Sequence, residues 1–398
     1  MAYNFDRVPN RRIPGVLNKW TYYPQEDLLP MWVADMDFPA PKPILDAIRD
    51  AVRHGVLGYE LASNTLLETV AARMDRLYGW KVQPEWVVPA SGIVSGFNVA
   101  ARAFSSARSP SSKRGRGEGY LIQPPVYNEF HELKNNVGLL QLDAPLIKRV
   151  RGNIIRYEID WDLFKKQAKK AGMFLLCNPH NPLGIIFARS DLRRMAEICL
   201  ENKVLIVSDE IHSELLLEDK KFTPIAKLSA EIAQNSITLI APSKTFNMPG
   251  LFCGFAIIPN QALRSEYTKV SNQLRLHVAS LGLRAAQVAF SGQCDDWLKE
   301  LRSYLNSNRD FLIDHVTKNM PGVRITVPQA TYLAWLDFTE FDLSPSPYEF
   351  FLKEANVALS DGAIFGENGK GHVRLNFGTS RKVLKQGLDR ISRALLSH

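Results

Sequence analysis

The sequence has little cysteine: four residues in 398, at Cys177, Cys199, Cys253 and Cys294. No two of them have Cys-x-x-Cys spacing, and the first three lie in apolar segments. This spacing does not match a zinc-binding pattern or the disulfide framework of a small secreted protein. We therefore expect reduced, buried thiols, no metal site and a cytoplasmic location.

Long apolar runs are also missing. The sequence contains no stretch of about 18 apolar residues, so it predicts no transmembrane helix and no membrane partner. The first residues lack the apolar core of a secretory signal. The net charge is +8, and part of it lies in a Gly/Ser-rich basic stretch at residues 105–119. This stretch has no aromatic residue for base stacking, so we expect a solvated, mobile loop and no nucleic-acid partner.

The remaining sequence alternates short apolar runs with amphipathic segments. Continuous apolar strands that alternate with helices are typical of a mostly parallel sheet covered on both faces, and they predict an α/β fold. The predicted strands of this sheet are residues 86–88, 120–122, 173–177, 204–207, 237–241 and 254–258. The predicted helices are residues 41–54, 65–78, 93–104, 127–136 and 191–202, the last with Ser190 as its N-cap. A long helical region after residue 285 leads to strands at 332–336 and 373–376 and a helix at 381–396.

Polar residues follow the predicted strands where each strand ends. In a mostly parallel sheet these ends meet at one edge, and ligands bind there. We therefore expect one common site. Its members are Tyr127 after strand 120–122, Asn181 after 173–177, Asp209 after 204–207, Lys244 after 237–241, and Gly92 at the start of helix 93–104.

These side chains suit an aromatic aldehyde that carries a phosphate. A buried lysine such as Lys244 can be neutral and form a Schiff base. Asp209 can pair with a ring N–H⁺, Asn181 can hydrogen-bond a ring hydroxyl, and Tyr127 can stack on the ring.

The phosphate has its own candidate residues. The free N–H groups of a helix that opens at Gly92 and Ile93 suit a phosphate, and Ser243 adds a hydroxyl. The ligand that fits the whole set is pyridoxal 5′-phosphate, PLP. Taken singly, each residue has an ordinary structural role: a surface lysine, a strand-end carboxylate, a turn asparagine, a core tyrosine, a helix cap. Only their order and placement together favour the cofactor site.

The sequence resembles fold-type-I PLP enzymes of the aspartate aminotransferase superfamily, and within it the PatB/MalY-type cystathionine β-lyases, which are C–S lyases. The matching segments are residues 32–38 (WVADMDF), 58–59 (GY), 123–127 (QPPVY), 178–184 (NPHNPLG), 208–212 (SDEIH), 243–247 (SKTFN), 331–336 (TYLAWL) and 374–376 (RLN). The resemblance implies a large domain with a mostly parallel seven-stranded sheet at residues 45–285. It also implies a smaller α+β domain formed by residues 1–44 and 286–398.

The resemblance also implies roles for individual residues. Lys244 would carry the Schiff base and transfer the proton, Asp209 would hold the pyridine nitrogen, and Arg374 would bind the substrate α-carboxylate. The other implied contacts are Asn181 and His212 at the ring oxygen, Tyr127 stacked on the ring and beside the substrate, Gly92, Ile93 and Ser243 at the phosphate, Ala34 closing over the substrate, and Tyr59 at the phosphate of the partner in a homodimer.

Some positions depart from this family pattern. Phe252 stands where many aminotransferases have a phosphate-binding arginine, and Ile185 stands where a basic residue is common. His212 replaces a frequent tyrosine. The expected reaction is α,β-elimination from cystathionine, cysteine or a related thioether, giving thiol, pyruvate and ammonia. An aminotransferase is the alternative, and a non-catalytic PLP-binding protein is a third possibility that the intact set of residues disfavours.

Overall fold

The protein is described from a computed structural model, which covers residues 3–104 and 119–398. The strands are β1 (Leu29–Pro30), β2 (Val87–Ala90), β3 (Gly119–Ile122), β4 (Leu140–Asp143), β5 (Ile147–Arg151), β6 (Ile154–Glu158), β7 (Ala171–Cys177), β8 (Leu205–Asp209), β9 (Ser236–Ile240), β10 (Gly254–Ile257), β11 (Arg324–Thr326), β12 (Leu333–Asp337), β13 (Val357–Ala358), β14 (Ser360–Asp361) and β15 (His372–Asn376). The helices are α1 (Lys42–His54), α2 (Asn64–Tyr78), α3 (Ile93–Phe104), α4 (Asn128–Val137), α5 (Trp161–Ala168), α6 (Arg189–Glu201), α7 (Ala230–Gln234), α8 (Pro242–Thr245), α9 (Gln261–Gln273), α10 (Ser280–Ser291), α11 (Asp295–Asn319), α12 (Pro347–Phe350) and α13 (Arg381–Leu396).

A seven-stranded sheet forms the centre of the molecule. Its strand order is β2-β10-β9-β8-β7-β3-β4, and β10 is antiparallel to both of its neighbours. The pairs β9-β8, β8-β7, β7-β3 and β3-β4 are parallel. This arrangement confirms the predicted α/β fold with a mostly parallel seven-stranded sheet.

Strand β7 shows why the central strands read as continuous apolar runs. Phe174 and Leu176 belong to a hydrophobic cluster on one face of the sheet, and Met173 and Leu175 belong to a cluster on the other face. Successive side chains of a strand point to opposite faces, so a sheet covered on both sides buries all of them. Full burial of each such side chain contributes roughly 1.5–3 kcal/mol to folding. The strand ends therefore emerge from a rigid layer.

A second, six-stranded sheet has the order β14-β15-β12-β11-β6-β5. Its first four strands come from the C-terminal part of the chain, where α11 and α13 pack together with β12 in one hydrophobic cluster. Strands β5 and β6 form a hairpin that pairs with β11. This hairpin lies within residues 45–285, so the sheet crosses the expected division of the chain. The two-domain boundaries stay a prediction.

A few local predictions need correction. Ser190 is not the N-cap of α6, because that helix begins at Arg189, and Ala188 occupies the cap with no side-chain bond. Gly119 belongs to β3 and not to the preceding basic loop; a Cβ there would lie 2.7 Å from the Leu140 carbonyl oxygen of the adjacent strand. The rest of that loop, residues 105–118, lies outside the described residues.

The cysteine prediction is confirmed, because all four cysteines are free and buried. In the described part of the chain, no helix combines the length and apolar character that a membrane crossing needs. The cytoplasmic location stays a prediction.

Candidate active site

Three parallel strands end side by side at the edge where the candidate residues lie. Cys177 at the end of β7 is paired with Asp209 at the end of β8, and Asp209 is paired with Leu239 of β9. Asn181 follows β7 closely, and Lys244 lies on α8, which follows β9 directly. The topology therefore brings Asn181, Asp209 and Lys244 to one edge of the sheet.

Lys244 Nζ donates a hydrogen bond to the carbonyl oxygen of Ala34 at 2.6 Å. Burial and the charge of Arg374 lower the pKa of this lysine, Asp35 and Asp209 oppose them, and the net pKa is about 8. Roughly a tenth of Lys244 is thus neutral at pH 7, far more than for an ordinary lysine, and the neutral amine is the form that attacks a carbonyl or accepts a proton.

Asp209 is a buried carboxyl group at the end of β8. Burial raises its pKa to about 7, although Oδ1 accepts a hydrogen bond from the Ile211 N–H at 3.1 Å and the charge of Lys244 favours ionisation. A further cation in front of this carboxyl group would restore full ionisation. The group is therefore suited to a cationic ring nitrogen.

His212 lies two residues further on and is also buried. Burial, together with the charges of Lys244 and Arg374, lowers its pKa to about 3, so the imidazole is neutral. Its Nδ1 is buried and has no hydrogen-bond partner among residues 3–104 and 119–398. Buried polar atoms are nearly always paired, so this atom is available for a ligand.

Arg374 on β15 is the buried guanidinium of the site. NH1 donates to Asn181 Oδ1 at 3.0 Å, and NH2 donates to the Trp32 carbonyl oxygen at 3.0 Å and to Ser360 Oγ at 3.1 Å. The guanidinium carbon lies 4.9 Å from the centre of the Phe365 ring. Burial lowers the pKa of Arg374 to about 10, so the group stays charged at neutral pH.

No carboxylate of the described residues pairs with Arg374, whose bonds all go to neutral acceptors. Its Nε is also buried without a partner in that part of the chain. An isolated buried cation is costly unless an anion joins it. The arrangement therefore favours an anionic ligand, as expected for an α-carboxylate.

The remaining predicted residues surround this group. Tyr127 caps α4, and burial raises its pKa, with Asp209 and Arg374 acting on the hydroxyl. Gly92 precedes α3 with φ of 126°, and a Cβ built on it would meet no atom within 4 Å. Ile93 opens that helix, and Ser243 is buried on α8. The open space beside a helix N-terminus suits a phosphate.

Tyr59 is not part of this group, because its side chain is fully exposed at 102%. The loop that carries it is held in place: Ser280 Oγ donates to the Gly58 carbonyl oxygen, and Arg284 forms two bonds of 2.9 Å with Glu60. The structure thus presents Tyr59 outward on a fixed loop.

The segment of residues 32–37, which we call the Ala34 segment, is held by side chains that the sequence analysis assigned no role. Asn376 Nδ2 donates to the carbonyl oxygens of Val33 and Asp35 at 2.7 Å. Tyr332 OH donates to the Ala34 carbonyl oxygen at 2.9 Å, and Asn247 Nδ2 donates to that of Met36 at 2.8 Å. The first three of these contacts come from the C-terminal sheet region. The only available signal was the position of these residues beside Lys244 and Arg374 in the motifs.

The residues present fit PLP. Asp209 lacks a full cationic partner, His212 Nδ1 has no partner in the described chain, and Gly92 faces open space before a helix. In that order, the three features suit the protonated ring nitrogen, the ring oxygen and the phosphate of PLP. Lys244 would supply the amine that attaches the aldehyde.

Comparisons with known proteins identify the family of the chain. The profile of the family described as aminotransferase class I and II matches residues 33–391. The chain belongs to the aminotransferase class I and II family. The cystathionine β-lyase PatB of Bacillus subtilis (strain 168) is 37% identical over 372 residues, which are 93% of each chain.

Solved structures of this family superimpose on nearly the whole chain. The PLP-bound C–S lyase of Staphylococcus hominis has a TM-score of 0.89 with 30% identity, covering 99% of this chain and 98% of its own. The structure of OvoB has a TM-score of 0.90 with 36% identity over 100% of both chains. One family feature stays absent: Phe252, where an arginine is frequent, is exposed and has a left-handed backbone with φ of 44°.

Proposed function

We propose that this protein is a PLP-dependent C–S β-lyase that acts on L-cystathionine, L-cysteine or a related cysteine thioether. The observation that carries the amino-acid chemistry is the buried Arg374 guanidinium, which has no carboxylate partner among the described residues and lies near the amine of Lys244, whose pKa is lowered by burial. The 37% identity to PatB along 93% of each chain supports elimination over transamination.

The side chains divide the work of substrate binding. Arg374 binds the substrate α-carboxylate with its remaining N–H groups, and Asn181 is oriented by the bond between its Oδ1 and Arg374 NH1. Tyr127 stacks on the cofactor ring and lines the substrate site. The Ala34 segment covers the site because Lys244, Tyr332 and Arg374 all donate to its carbonyl oxygens.

Proton transfer falls to Lys244 and Asp209. Bound PLP supplies an electron sink for the charge that develops at the substrate Cα. Lys244 would attach the cofactor through Nζ, and as a free amine it would take the Cα proton of the bound amino acid. Asp209 holds the proton on the ring nitrogen, which its buried carboxylate favours electrostatically. The thiolate leaves from Cβ, and the sum of the reaction is thioether plus water giving thiol, pyruvate and ammonia.

The phosphate is held by the N-terminus of α3 at Gly92 and Ile93 and by the hydroxyl of Ser243. His212 offers its neutral ring to the cofactor ring oxygen. Because Tyr59 is fully exposed on a loop that Ser280 and Arg284 bond on either side of it, we further propose a homodimer in which it contacts the partner's phosphate.

The test is the release of pyruvate and homocysteine from L-cystathionine by the PLP-loaded protein with no 2-oxo acid present. We expect steady release of both in equal amounts, and none from Lys244→Ala. Turnover by Lys244→Ala without added amine would contradict the role of Lys244. Failure of the wild type to release either product, with amino-group transfer on addition of a 2-oxo acid, would assign the protein to the aminotransferases instead.

A further inference from the structure

Two hydrogen-bond donors share one backbone oxygen beside the site lysine. Lys244 Nζ lies 2.6 Å from the carbonyl oxygen of Ala34, and the hydroxyl of Tyr332 lies 2.9 Å from the same atom. A carbonyl oxygen has two lone pairs, so the two donors fill its capacity. A change in the bond from Tyr332 is therefore expected to change the strength of the bond from Lys244.

The Ala34 carbonyl is positioned independently of Tyr332. Asn376 Nδ2 donates to the carbonyl oxygens on either side of it, those of Val33 and Asp35, both at 2.7 Å. Arg374 NH2 holds the Trp32 carbonyl oxygen at 3.0 Å. Removing the Tyr332 hydroxyl alone should therefore leave the carbonyl in place and change only how strongly it accepts.

Tyr332 acts purely as a donor at this point. Its side chain is 1% exposed, and burial raises the pKa of the phenol, so the hydroxyl keeps its proton across the working range of pH. The phenol ring also packs edge-on against His212, with ring centres 6.2 Å apart. The ring thus has a fixed place, and its hydroxyl has a fixed direction.

The groups that face Lys244 come from several elements. Arg374 of β15 disfavours the charged amine, and Asp35 and Asp209 favour it. His212 is neutral because burial lowers its pKa to about 3. The effects of these charges on the pKa of Lys244 partly cancel. A hydrogen bond from the ammonium form to a neutral acceptor, here the Ala34 carbonyl oxygen, can therefore change that pKa measurably.

We propose that Tyr332 is a positioning residue that weakens the hold of the Ala34 carbonyl on Lys244 and so keeps the lysine amine free to act. This proposal rests on the proposed function, in which Lys244 binds the cofactor and takes the Cα proton. The tyrosine hydroxyl withdraws electron density from the shared oxygen, which then stabilises the ammonium less. Without the hydroxyl, the ammonium form of Lys244 gains stability.

The matched test is Tyr332→Phe, which removes one oxygen atom and keeps the ring. We expect the pH at which Lys244 loses its proton to rise by about half a unit, the equivalent of part of one net hydrogen bond. The first readout is the pH dependence of labelling of Lys244 by acetic anhydride in the cofactor-free, full-length protein, followed by mass spectrometry. The second is the acid limb of the kcat profile of the PLP-loaded enzyme with L-cystathionine, which should move by the same amount.

The control is Tyr157→Phe, which removes the hydroxyl of a half-buried tyrosine. That hydroxyl accepts a 3.1 Å bond from Trp335 Nε1 and is not one of the two donors to the Ala34 carbonyl oxygen. This variant should leave both pH midpoints unchanged. Equal midpoints in Tyr332→Phe and wild type, a downward move, or the same rise in Tyr157→Phe would overturn the proposal.

A second variant guards against a folding defect. Fluorotyrosine placed at position 332 keeps the ring and makes the hydroxyl a stronger donor, so the labelling midpoint of Lys244 should fall. A rise with this side chain would contradict the proposal. Labelling needs no turnover, so it gives a result even where the lyase assay fails. Failure of the proposal for Tyr332 can therefore be distinguished from failure of the proposed lyase function.

Discussion

Three ionisable side chains, the buried Asp209 and Arg374 and the half-buried Lys244, form the candidate site, and each has its pKa moved toward the working range of pH. Burial raises the pKa of Asp209 to about 7, lowers that of Lys244 to about 8 and lowers that of Arg374 to about 10. Groups of this kind lower the stability of the chain without ligand and serve binding and proton transfer. The site is therefore expected to gain stability when the cofactor and an anion bind.

Asp209 allows a test of whether a side chain of the site lowers the stability of the cofactor-free protein while supporting turnover. The pKa of Asp209 is about 7 in the folded protein against an ordinary value of 3.8. The protonated carboxyl group therefore favours the folded state fully below pH 3.8, and this contribution to the free energy of unfolding is lost as the pH rises to 7. In cofactor-free protein, Asp209→Asn should raise the free energy of unfolding above pH 7 by up to about 4 kcal/mol. The difference from wild type should vanish near pH 4, as measured by urea unfolding across pH.

The loaded Asp209→Asn enzyme should show the opposite effect, with turnover falling because the neutral amide no longer holds the ring proton. A cofactor-free variant that is less stable than wild type at pH 8, or a loaded variant with wild-type turnover, would refute this account of Asp209.

Arg374 gives a second test at the scale of a single residue. Lysine keeps the charge but cannot bond Asn181, Trp32 and Ser360 while presenting a planar pair of N–H groups to a carboxylate. We expect Arg374→Lys to lower kcat/KM for L-cystathionine about 10- to 150-fold, the equivalent of one charge-assisted hydrogen bond. The absorption of bound PLP should stay unchanged. An unchanged KM, or loss of the cofactor band, would show that Arg374 does not serve the substrate carboxylate.

At the scale of an element, the Ala34 segment depends on a buried ion cluster at its C-terminal end. Asp37 Oδ1 accepts bonds from Arg11 NH1 at 2.9 Å, Lys19 Nζ at 3.2 Å and Trp20 Nε1 at 2.8 Å. Burial raises the pKa of Asp37, but Lys19 and the other partners outweigh it and the net shift is downward. Residues 11–20 are thus attached to the Ala34 segment, whose Ala34 carbonyl oxygen accepts a hydrogen bond from Lys244.

Asp37→Asn should lower the free energy of unfolding by about 1.5–3 kcal/mol, because Lys19, which is itself buried, loses this carboxylate and keeps only the longer pair with Asp35 Oδ1 at 3.6 Å as an ionic partner. Since the pKa of Asp37 is lowered on folding, its contribution is present above pH 3.8 and is lost as the pH falls, so the difference should shrink in acid. Urea unfolding at pH 7 and pH 3 measures both. Asp46→Asn is the control, because its pairs with Lys42 and Arg49 on α1 are exposed and should not matter measurably. Equal effects of the two variants would contradict the role of the buried cluster.

The elements differ in how well the sequence predicted them. Helices α3 and α13 were predicted at their observed bounds, and the central strands to within a few residues, because a two-sided sheet leaves a continuous apolar signal. The β5-β6 hairpin was missed. Its residues 147–151 read Ile-Lys-Arg-Val-Arg and are largely exposed, so no apolar pattern marks them. The outer partner of β6, strand β11, lies more than 160 residues later in the chain.

At the scale of the whole molecule, the predicted site depends on topology more than on local pattern. Asn181, Asp209 and Lys244 come together because parallel strands end at one edge, and that rule can be applied to a sequence. The bonds of Tyr332, Asn247 and Asn376 to the Ala34 segment could not be predicted, because they join parts of the chain about 210 to 340 residues apart. Short polar side chains carry no periodic signal that would reveal such contacts.

The homodimer is the remaining prediction at this scale. Tyr59 is fully exposed among the exposed apolar side chains of Val56, Leu57 and Leu61, a surface that a second copy of the chain would bury. If Tyr59 serves the partner's site, a heterodimer of Lys244→Ala and Tyr59→Ala contains one site with both residues intact. Each variant alone, assayed at limiting PLP, should be nearly inactive.

Unfolding and refolding an equal mixture of the two variants should restore about a quarter of the wild-type activity, since half of the randomly paired dimers carry one intact site of two. The same mixture without refolding is the control. If Tyr59 instead served its own subunit, no dimer of the two variants would contain a site with both Tyr59 and Lys244. The most active sites in the mixture would then be those of the Tyr59→Ala variant itself. Refolding would then produce no gain, and the cross-subunit role of Tyr59 would be refuted.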